Sequence, residues 1–303
     1  MTSFTIRDIE NLTGIKAHTL RIWEQRYEFF KSQRKESKHR FYDNEDLKKL
    51  LRISFLYHNG WKISKIASLS EAQVLDNVRA ITVAGENTVV FTARLLEAAV
   101  DFNENAFHAI LDEIIAKTGF EKCIVEVCYP YLKKIGLLWS TNNIIPAQEH
   151  FSSYIVQNRI IVETEKLGAV PKKPEILLAC PQGEFHELPL LFINYLLRKY
   201  GWGTIFLGAN VKKNEIVTVA GTEGIRYIYL HLLTNFTGYY ADDYFEDICK
   251  QFPDKIIIGS GEGIQGLQRS FVNLNVLRSD QQIYNFIRKT NLSAAHNSSR
   301  LPS

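Results

Sequence analysis

A change of apolar rhythm near residue 174 constrains this chain more than any other feature. Before it, apolar residues recur at the three- and four-residue spacing of helix faces. After it, short apolar runs alternate with helical stretches. Between 88 and 167 the helical rhythm is carried by Leu95, Leu96, Ala99, Phe107, Ile110, Leu111, Ile114 and Ile115, with breaks near 101–103, 118–119 and 142–146. That spacing predicts about four helices in a small bundle. Beyond Pro171-Lys172-Lys173-Pro174, strands are predicted at Ile176–Cys180, Thr204–Leu207, Tyr227–Leu233, Ile256–Ile258 and Phe271–Leu277. Helices are predicted between them at Glu187–Tyr200, Asn214–Gly221 and Tyr239–Gln251. Such alternation gives a doubly wound parallel sheet of flavodoxin-like type.

The first 70 residues read differently again. Thr5 and Asp8 make a capping-box start for a helix whose apolar face is Ile6, Ile9 and Leu12. Gly14 breaks it, and a second helix follows from Ala17 to Arg26 with Leu20 and Trp23 on one side. Helix, glycine turn, helix is the outline of a helix-turn-helix. Residues 31–42 are rich in Lys and Arg and lack apolar periodicity before Phe41 and Tyr42, which suits a wing. Asp43 or Asn44 caps a helix through His58, ended by Gly60, and a short helix lies near Lys62–Ser68. The fold expected is therefore α and α/β multidomain: a winged helix-turn-helix over 1–70, a connecting helix and linker over 71–87, the helical bundle over 88–170, the α/β domain over 175–290 and a disordered tail over 291–303.

Charge distribution narrows the partner. The whole chain carries +3, but residues 1–70 hold 14 Lys/Arg against 8 Asp/Glu, a net of +6. The remainder is mildly acidic. A basic head on an acidic body points to a polyanion at the head, with a solvated surface as the plain alternative. Lys16, His18, Thr19 and Arg21 open the second helix and offer donors to base edges and phosphates. Arg34, Lys38 and Arg40 in the wing can neutralise phosphate charge. Tyr42 and Trp23 read first as core, with Tyr42 also placed to reach phosphate. No apolar run is long enough to span a bilayer and no leader precedes the head, so a cytoplasmic protein is expected. The cysteines read as reduced and buried; Cys123 and Cys128, five apart on a helix, are not expected to share a face.

In the body, Trp139 is followed after nine residues by Glu149-His150, and Gly183-Glu184-Phe185-His186 follows the first predicted strand. A His after strand one lies at the carboxyl rim of a parallel sheet, where ligands of such folds bind. Neutral imidazole suits a transition metal, and a neighbouring carboxylate fixes its tautomer. Together the two spots suggest a ligand held between bundle and sheet. Gly261-Glu262-Gly263-Ile264-Gln265-Gly266 matches a dinucleotide fingerprint by letter but follows the fourth strand rather than the first. A cradle for a ligand tail or an ordinary strand–helix turn explains it better.

Residues 4 to about 70 resemble the MerR family of regulators, in Thr19-Leu20-Arg21-Ile22-Trp23-Glu24, Arg26-Tyr27, Arg40 and Tyr42. Glu28-Phe29 stands where the family usually has Gly-Leu. Residues 88 to 290 resemble the cobalamin-binding MerR regulators of the CarH and LitR type. The resemblance implies a transcription regulator, not an enzyme, that binds double-stranded promoter DNA as a homodimer or homotetramer through Lys16, His18, Thr19, Arg21, Arg26, Arg34, Lys38, Arg40 and Tyr42. It implies adenosylcobalamin as cofactor, capped by Trp139, Glu149 and His150, with His186 as cobalt ligand and Glu184 as its acidic partner. His231 and Leu233 occupy the family's Ser-x-Leu element, and Gly259-Ser260-Gly261 its Gly-Gly. Pro189 stands where Gly is usual and His231 where Ser is usual. A light response through the cobalt–carbon bond is part of what the family implies. Two other readings stand beside it: a regulator whose body has lost the cofactor and senses another ligand or partner, and a corrinoid methyltransfer protein, which has no need of a DNA-binding head.

Overall fold

The computed structural model describes residues 4–27, 33–34, 40–58, 60–84, 88–140, 146–169, 173–234 and 241–288. The side chains of 11–12, 33–34, 40, 44, 79–84, 89, 137–140 and 146 lie outside that description. The chain folds as two compact units, Met1–Ile155 and Val156–Ser303.

The first unit opens with β1 (Phe4–Thr5), α1 (Ile6–Thr13), α2 (Ala17–Arg26), β2 (Gln33–Arg34), β3 (Arg40–Tyr42), α3 (Asn44–His58), α4 (Ile63–Ala67) and α5 (Glu71–Ala84). Each start has a local cause. At α1 the Thr5 side chain accepts from the Asp8 N–H while Asp8 accepts from the Thr5 N–H at 2.7 Å, a complete capping box. At α3, Asp43 and Asp46 exchange the same two bonds, at 2.9 and 3.2 Å. Gly14 ends α1 in the left-handed conformation that glycine adopts freely. The three short strands pair antiparallel in the order β1-β3-β2, Phe4 opposite Tyr42. Beneath them, Phe4, Ile9, Leu20, Trp23, Tyr42, Leu47 and Leu50 form the core of the head.

The helical bundle follows: α6 (Thr88–Val100), α7 (Glu104–Thr118), α8 (Phe120–Lys122), a π-helical turn (Cys123–Cys128), α9 (Tyr129–Ser140) and α10 (Pro146–Glu165). The breaks near 101–103 and at Gly119 fall where the periodicity puts them. The third, at 141–145, lies outside the described residues. The cysteines are free and buried as expected, but the expectation that Cys123 and Cys128 do not share a face is overturned. A π turn has a longer repeat than an α-helix, so residues five apart meet. The Cys123 and Cys128 sulfurs lie 3.9 Å apart, both buried.

The second unit holds β4 (Ile176–Pro181), α11 (Leu188–Lys199), β5 (Thr204–Val211), α12 (Lys213–Ala220), β6 (Tyr227–His231), α13 (Ala241–Gln251), β7 (Ile256–Ser260), a 3-10 turn (Glu262–Ile264) and β8 (Leu274–Leu277). A further helical segment runs over 280–288. All five strands pair in parallel, in the order β5-β4-β6-β7-β8. β4 and β6 are buried along their whole length, as strands covered on both faces must be. One face, with Leu177, Ala179, Ile228, Leu230 and Ile257, packs on Ile216 of α12 and on Phe245 and Ile248 of α13. On the other, Tyr227 and Tyr229 meet Phe286, and the Trp202 indole donates to the Ile287 carbonyl at 3.1 Å. Pro189 sits in the first turn of α11, where its missing N–H costs nothing.

The glycine run after β7 is a close-packed turn. Gly261 has φ +105°, and a Cβ there would lie 2.0 Å from the Leu232 carbonyl oxygen. The Gly263 N–H donates to that same oxygen at 2.9 Å. The glycines at 261 and 263 thus let this turn approach the residue that follows β6. Gly261→Ala is expected to lower stability by about 2–4 kcal/mol, read as a reduced urea midpoint at unchanged slope.

Candidate functional site

The sheet order reverses direction at β4: the chain leaves β4 for β5 on one side and later returns to β6 on the other. Loops after β4 and β6 therefore part at the carboxyl rim and leave a crevice there. Glu184 and His186 lie in the first of these loops, Leu233 and Thr234 in the second.

Glu184 joins them. Its carboxylate is fully buried. One oxygen accepts from the His186 N–H at 2.9 Å and pairs with His186 Nδ1 at 2.7 Å. The other accepts from the Leu233 N–H at 2.9 Å, the Thr234 N–H at 2.7 Å and the Thr234 hydroxyl at 2.9 Å. Burial works to raise the Glu184 pKa, yet the bonds from His186 and Thr234 outweigh it and hold it at about 2. The Glu184 carbonyl meanwhile accepts from the Asn210 N–H at 2.9 Å. Asn210 Oδ1 in turn accepts from the Gly183 N–H at 2.9 Å. The rim loop is thereby pinned from both neighbouring strands.

His186 leaves this anchor half-exposed, with 48% of its side chain accessible. Its Nδ1 is committed to Glu184, so any metal bond from this ring runs through Nε2. Phe185 beside it is 65% exposed. Next to the crevice, His231 ends β6 and is 4% exposed. Its Nδ1 pairs with the Ser260 hydroxyl at 2.8 Å, while Nε2 is buried with no hydrogen-bond partner. Burial pulls its pKa down to about 4, with Glu184 opposing and His186 assisting.

Several residues singled out by sequence take other roles. Gly259 lies inside β7, where a Cβ would meet the Phe245 ring at 3.0 Å, so its bare backbone permits helix–sheet packing. Gly261 serves the approach of the β7 loop to Leu232, as above. Ser260 is fully buried and orients His231. Leu233 acts through its backbone N–H, on Glu184. Thr234 and Asn210 carry no periodicity or motif signal and were not among the expected residues; only their side-chain chemistry at a parallel-sheet rim, in a loop and near a strand end, hints at them.

In the first unit, Glu149 and His150 fall in the first turn of α10. Glu149 is partly buried, His150 is exposed, and His150 Nδ1 lies 3.2 Å from Glu149 Oε2. Trp139 stands on α9, with its side chain outside the described residues. In the head, Lys16, His18 and Arg21 are exposed at the start of α2 and Thr19 is half-buried. Lys16 pairs with Glu10 at 3.1 Å, and the Thr19 hydroxyl lies 3.3 Å from His18 Nε2. Arg26 is exposed at the end of α2. Arg34 and Arg40 stand on β2 and β3 with side chains outside the description, and Lys38 lies outside it altogether. Tyr42 is corrected: at 1% exposure its ring belongs to the core of the head and does not reach a phosphate.

A basic helix-turn-helix head precedes a helical bundle and a flavodoxin-like sheet with a carboxylate-anchored histidine at its rim, the make-up of a DNA-binding regulator. Residues 4–73 match the MerR HTH family regulatory protein model, and residues 92–162 match the B12 binding domain model. The chain is therefore a MerR-type regulator carrying a B12-binding domain, homologous to two repressors of Myxococcus xanthus. It is 27% identical to the HTH-type transcriptional repressor CarA over 68% of this chain and 68% of that one. Identity to the repressor CarH is also 27%, over 71% of this chain and 73% of that one. These curated relatives are regulators rather than enzymes. In fold it is similar to the monomethylamine corrinoid protein of Methanosarcina barkeri, with TM-score 0.52 and 14% identity over 65% of this chain and 96% of that one. Among the described residues, no helix is long and apolar enough to cross a membrane.

Acid should weaken the second unit in two stages. His231 titrates near 4 when folded and near 6.5 when free, so its share of stability is present above 6.5 and lost as pH falls toward 4. Glu184, at about 2 folded against an ordinary 4.5, loses its share between 4.5 and 2. Urea midpoints measured from pH 7 to pH 2.5 should fall through both windows. In Glu184→Gln the lower window should vanish, at a cost of about 3 kcal/mol at neutral pH.

Proposed function

We propose that this regulator binds a cobalamin through His186 and couples the cofactor's state to promoter binding. The observation that carries the reading is the Glu184–His186 pair. A fully buried carboxylate holds Nδ1 at 2.7 Å and leaves the ring half-exposed at the sheet rim. That is the arrangement that directs an imidazole Nε2 toward a metal. Among the described residues, no group of three or more His, Cys, Asp or Glu is placed to hold a bare metal ion. A single imidazole fits a metal that arrives already held in a macrocycle and needs one axial ligand. The buried, unpartnered Nε2 of His231 adds a polar atom beside the crevice that a ligand can satisfy. Adenosylcobalamin would supply a cobalt–carbon bond that light can break.

In this reading, Glu184 sets the His186 tautomer and Thr234 holds Glu184. Glu149 and His150, with Trp139, take the cap role that the resemblance implies. Lys16, His18, Thr19, Arg21, Arg26, Arg34, Lys38 and Arg40 face double-stranded DNA. Two heads acting as a dimer or tetramer supply the contacts that one small head lacks. A second reading is favoured by His231 and the packed Gly261 turn: a body that has given up the cofactor and answers to another ligand.

The two readings part in a visible spectrum. Chain purified in the dark and mixed with adenosylcobalamin should take it up and change its spectrum on illumination. His186→Ala should weaken uptake by about 10–100-fold and shift the cobalt bands. A folded wild-type chain that takes up no corrinoid, or a variant with unaltered affinity and bands, would refute the cobalamin reading. At the head, Arg21→Ala should weaken DNA binding and reduce the slope of log affinity against log salt by about one, if Arg21 meets a phosphate. An unchanged slope removes Arg21 from the interface.

A further inference from the structure

The first turn of α10, which carries Glu149 and His150, also makes two contacts that lead away from them. Gln148, 2% exposed, donates through Nε2 to the Val100 carbonyl at 2.9 Å. Phe151 meets Phe102 edge to face, ring centroids 5.5 Å apart. Val100 and Phe102 flank Asp101. The Asp101 carboxylate accepts both its bonds from Lys48 Nζ, at 3.0 and 3.1 Å. Lys48 belongs to α3 of the DNA-binding head and is itself buried. The turn between α6 and α7 is thus gripped by α10 from one side and by the head from the other, all within the unit Met1–Ile155.

The turn is also strained. Phe102 has φ +51°, in the left-handed region where glycine is usual. The Asn103 N–H reaches the Ala98 carbonyl at 2.8 Å and the Phe102 N–H reaches Ala99 at 3.2 Å, the bonding of a Schellman helix end. A phenylalanine in that position persists only where neighbours hold it. One turn earlier on α6, Glu97 pairs with Arg52 of α3, and Arg52 also pairs with Glu71 of α5 at 3.2 Å. The end of α6 is therefore tied to the middle of α3.

We infer that the turn at 100–103 transmits the position of α10's first turn to the DNA-binding head, through Gln148 and Phe151 on one side and Asp101–Lys48 on the other. The source of movement at α10 rests on the proposed cap role of Glu149 and His150. The link itself consists of contacts within the first unit.

A double-mutant cycle on the full-length, ligand-free chain tests the link. Gln148→Glu removes the donor to Val100 at constant size, and Asp101→Asn removes the charge facing Lys48 at constant size. The probe is a DNA duplex selected from a random pool by the wild-type chain. Each substitution should alter the dissociation constant, and the double variant should differ from the product of the two effects by fivefold or more. Amide exchange in α3 should speed up in Gln148→Glu, although that residue lies in another helix. Effects that multiply to within twofold, with α3 exchange unchanged, overturn the inference. Circular dichroism and melting establish that each variant folds, and Gln148→Met replaces Gln148→Glu should the latter not fold. Adding adenosylcobalamin to the same samples keeps the two ideas apart. A wild type that takes up no corrinoid ends the cofactor reading and leaves the result of the ligand-free cycle standing.

Discussion

The buried carboxylate of Glu184 is the interaction on which the rim of the sheet depends. A carboxylate removed from water is costly unless every lone pair is met. Here five donors meet it, from His186, Leu233 and Thr234. Because those donors come from loops after two neighbouring strands, one charge orders both. It also fixes the orientation of the His186 ring through Nδ1. Asn210, in the strand on the other side, completes the hold through Gly183 and the Glu184 carbonyl. A histidine placed on a loop is thereby as firmly oriented as one on a strand.

The head and the first part of the bundle share a compact unit, and the polar contacts between them are of a different kind from surface ion pairs. Lys48 is 8% exposed and has two carboxylates, Glu45 at 2.8 Å and Asp101 at 3.0 Å. Burial alone would lower its pKa, but the two carboxylates outweigh that and raise it. Exposed pairs of this sort contribute little. A buried lysine with both partners in place specifies one docking geometry, since any other leaves the charge unmet. The bundle interior is apolar by contrast, with Phe107 edge-on to Tyr131 at 5.6 Å and Leu95, Ile114 and Ile124 around them.

Much of this was legible in residue order. Caps at Thr5 and Asp43, the break at Gly14, the strand starts at Ile176, Thr204, Tyr227 and Ile256 and the α11 helix all follow local rules that act over a few residues. His186 and Glu184 were legible because a loop after the first strand of a parallel sheet has only one place to go. The π turn was not, since five-residue spacing carries no sign of an inserted residue in the helical ladder. Thr234 and Asn210 were not, because a hydroxyl in a loop or an amide near a strand end acquires a role only when a distant carboxylate or amide comes beside it. Tyr42 read first as core with a reach to phosphate as well; its burial opposite Phe4 leaves only the core role. The packing duties of Gly259 against Phe245 and of Gly261 against Leu232 were not legible either, because they depend on which distant residues come beside the backbone.

The amino-acid order by itself determined the succession of elements, the basic head, the parallel sheet and the presence of an imidazole at its rim. Each of these depends on periodicity, capping or composition, which are properties of neighbours along the chain. Tertiary structure alone decided that Glu184 is ionised and shared between two loops, and that His231 is neutral with one nitrogen unmet. It also decided that Lys48 and Gln148 reach the same strained turn. Those facts depend on which groups are excluded from water together, and exclusion from water is settled only when the chain has closed on itself.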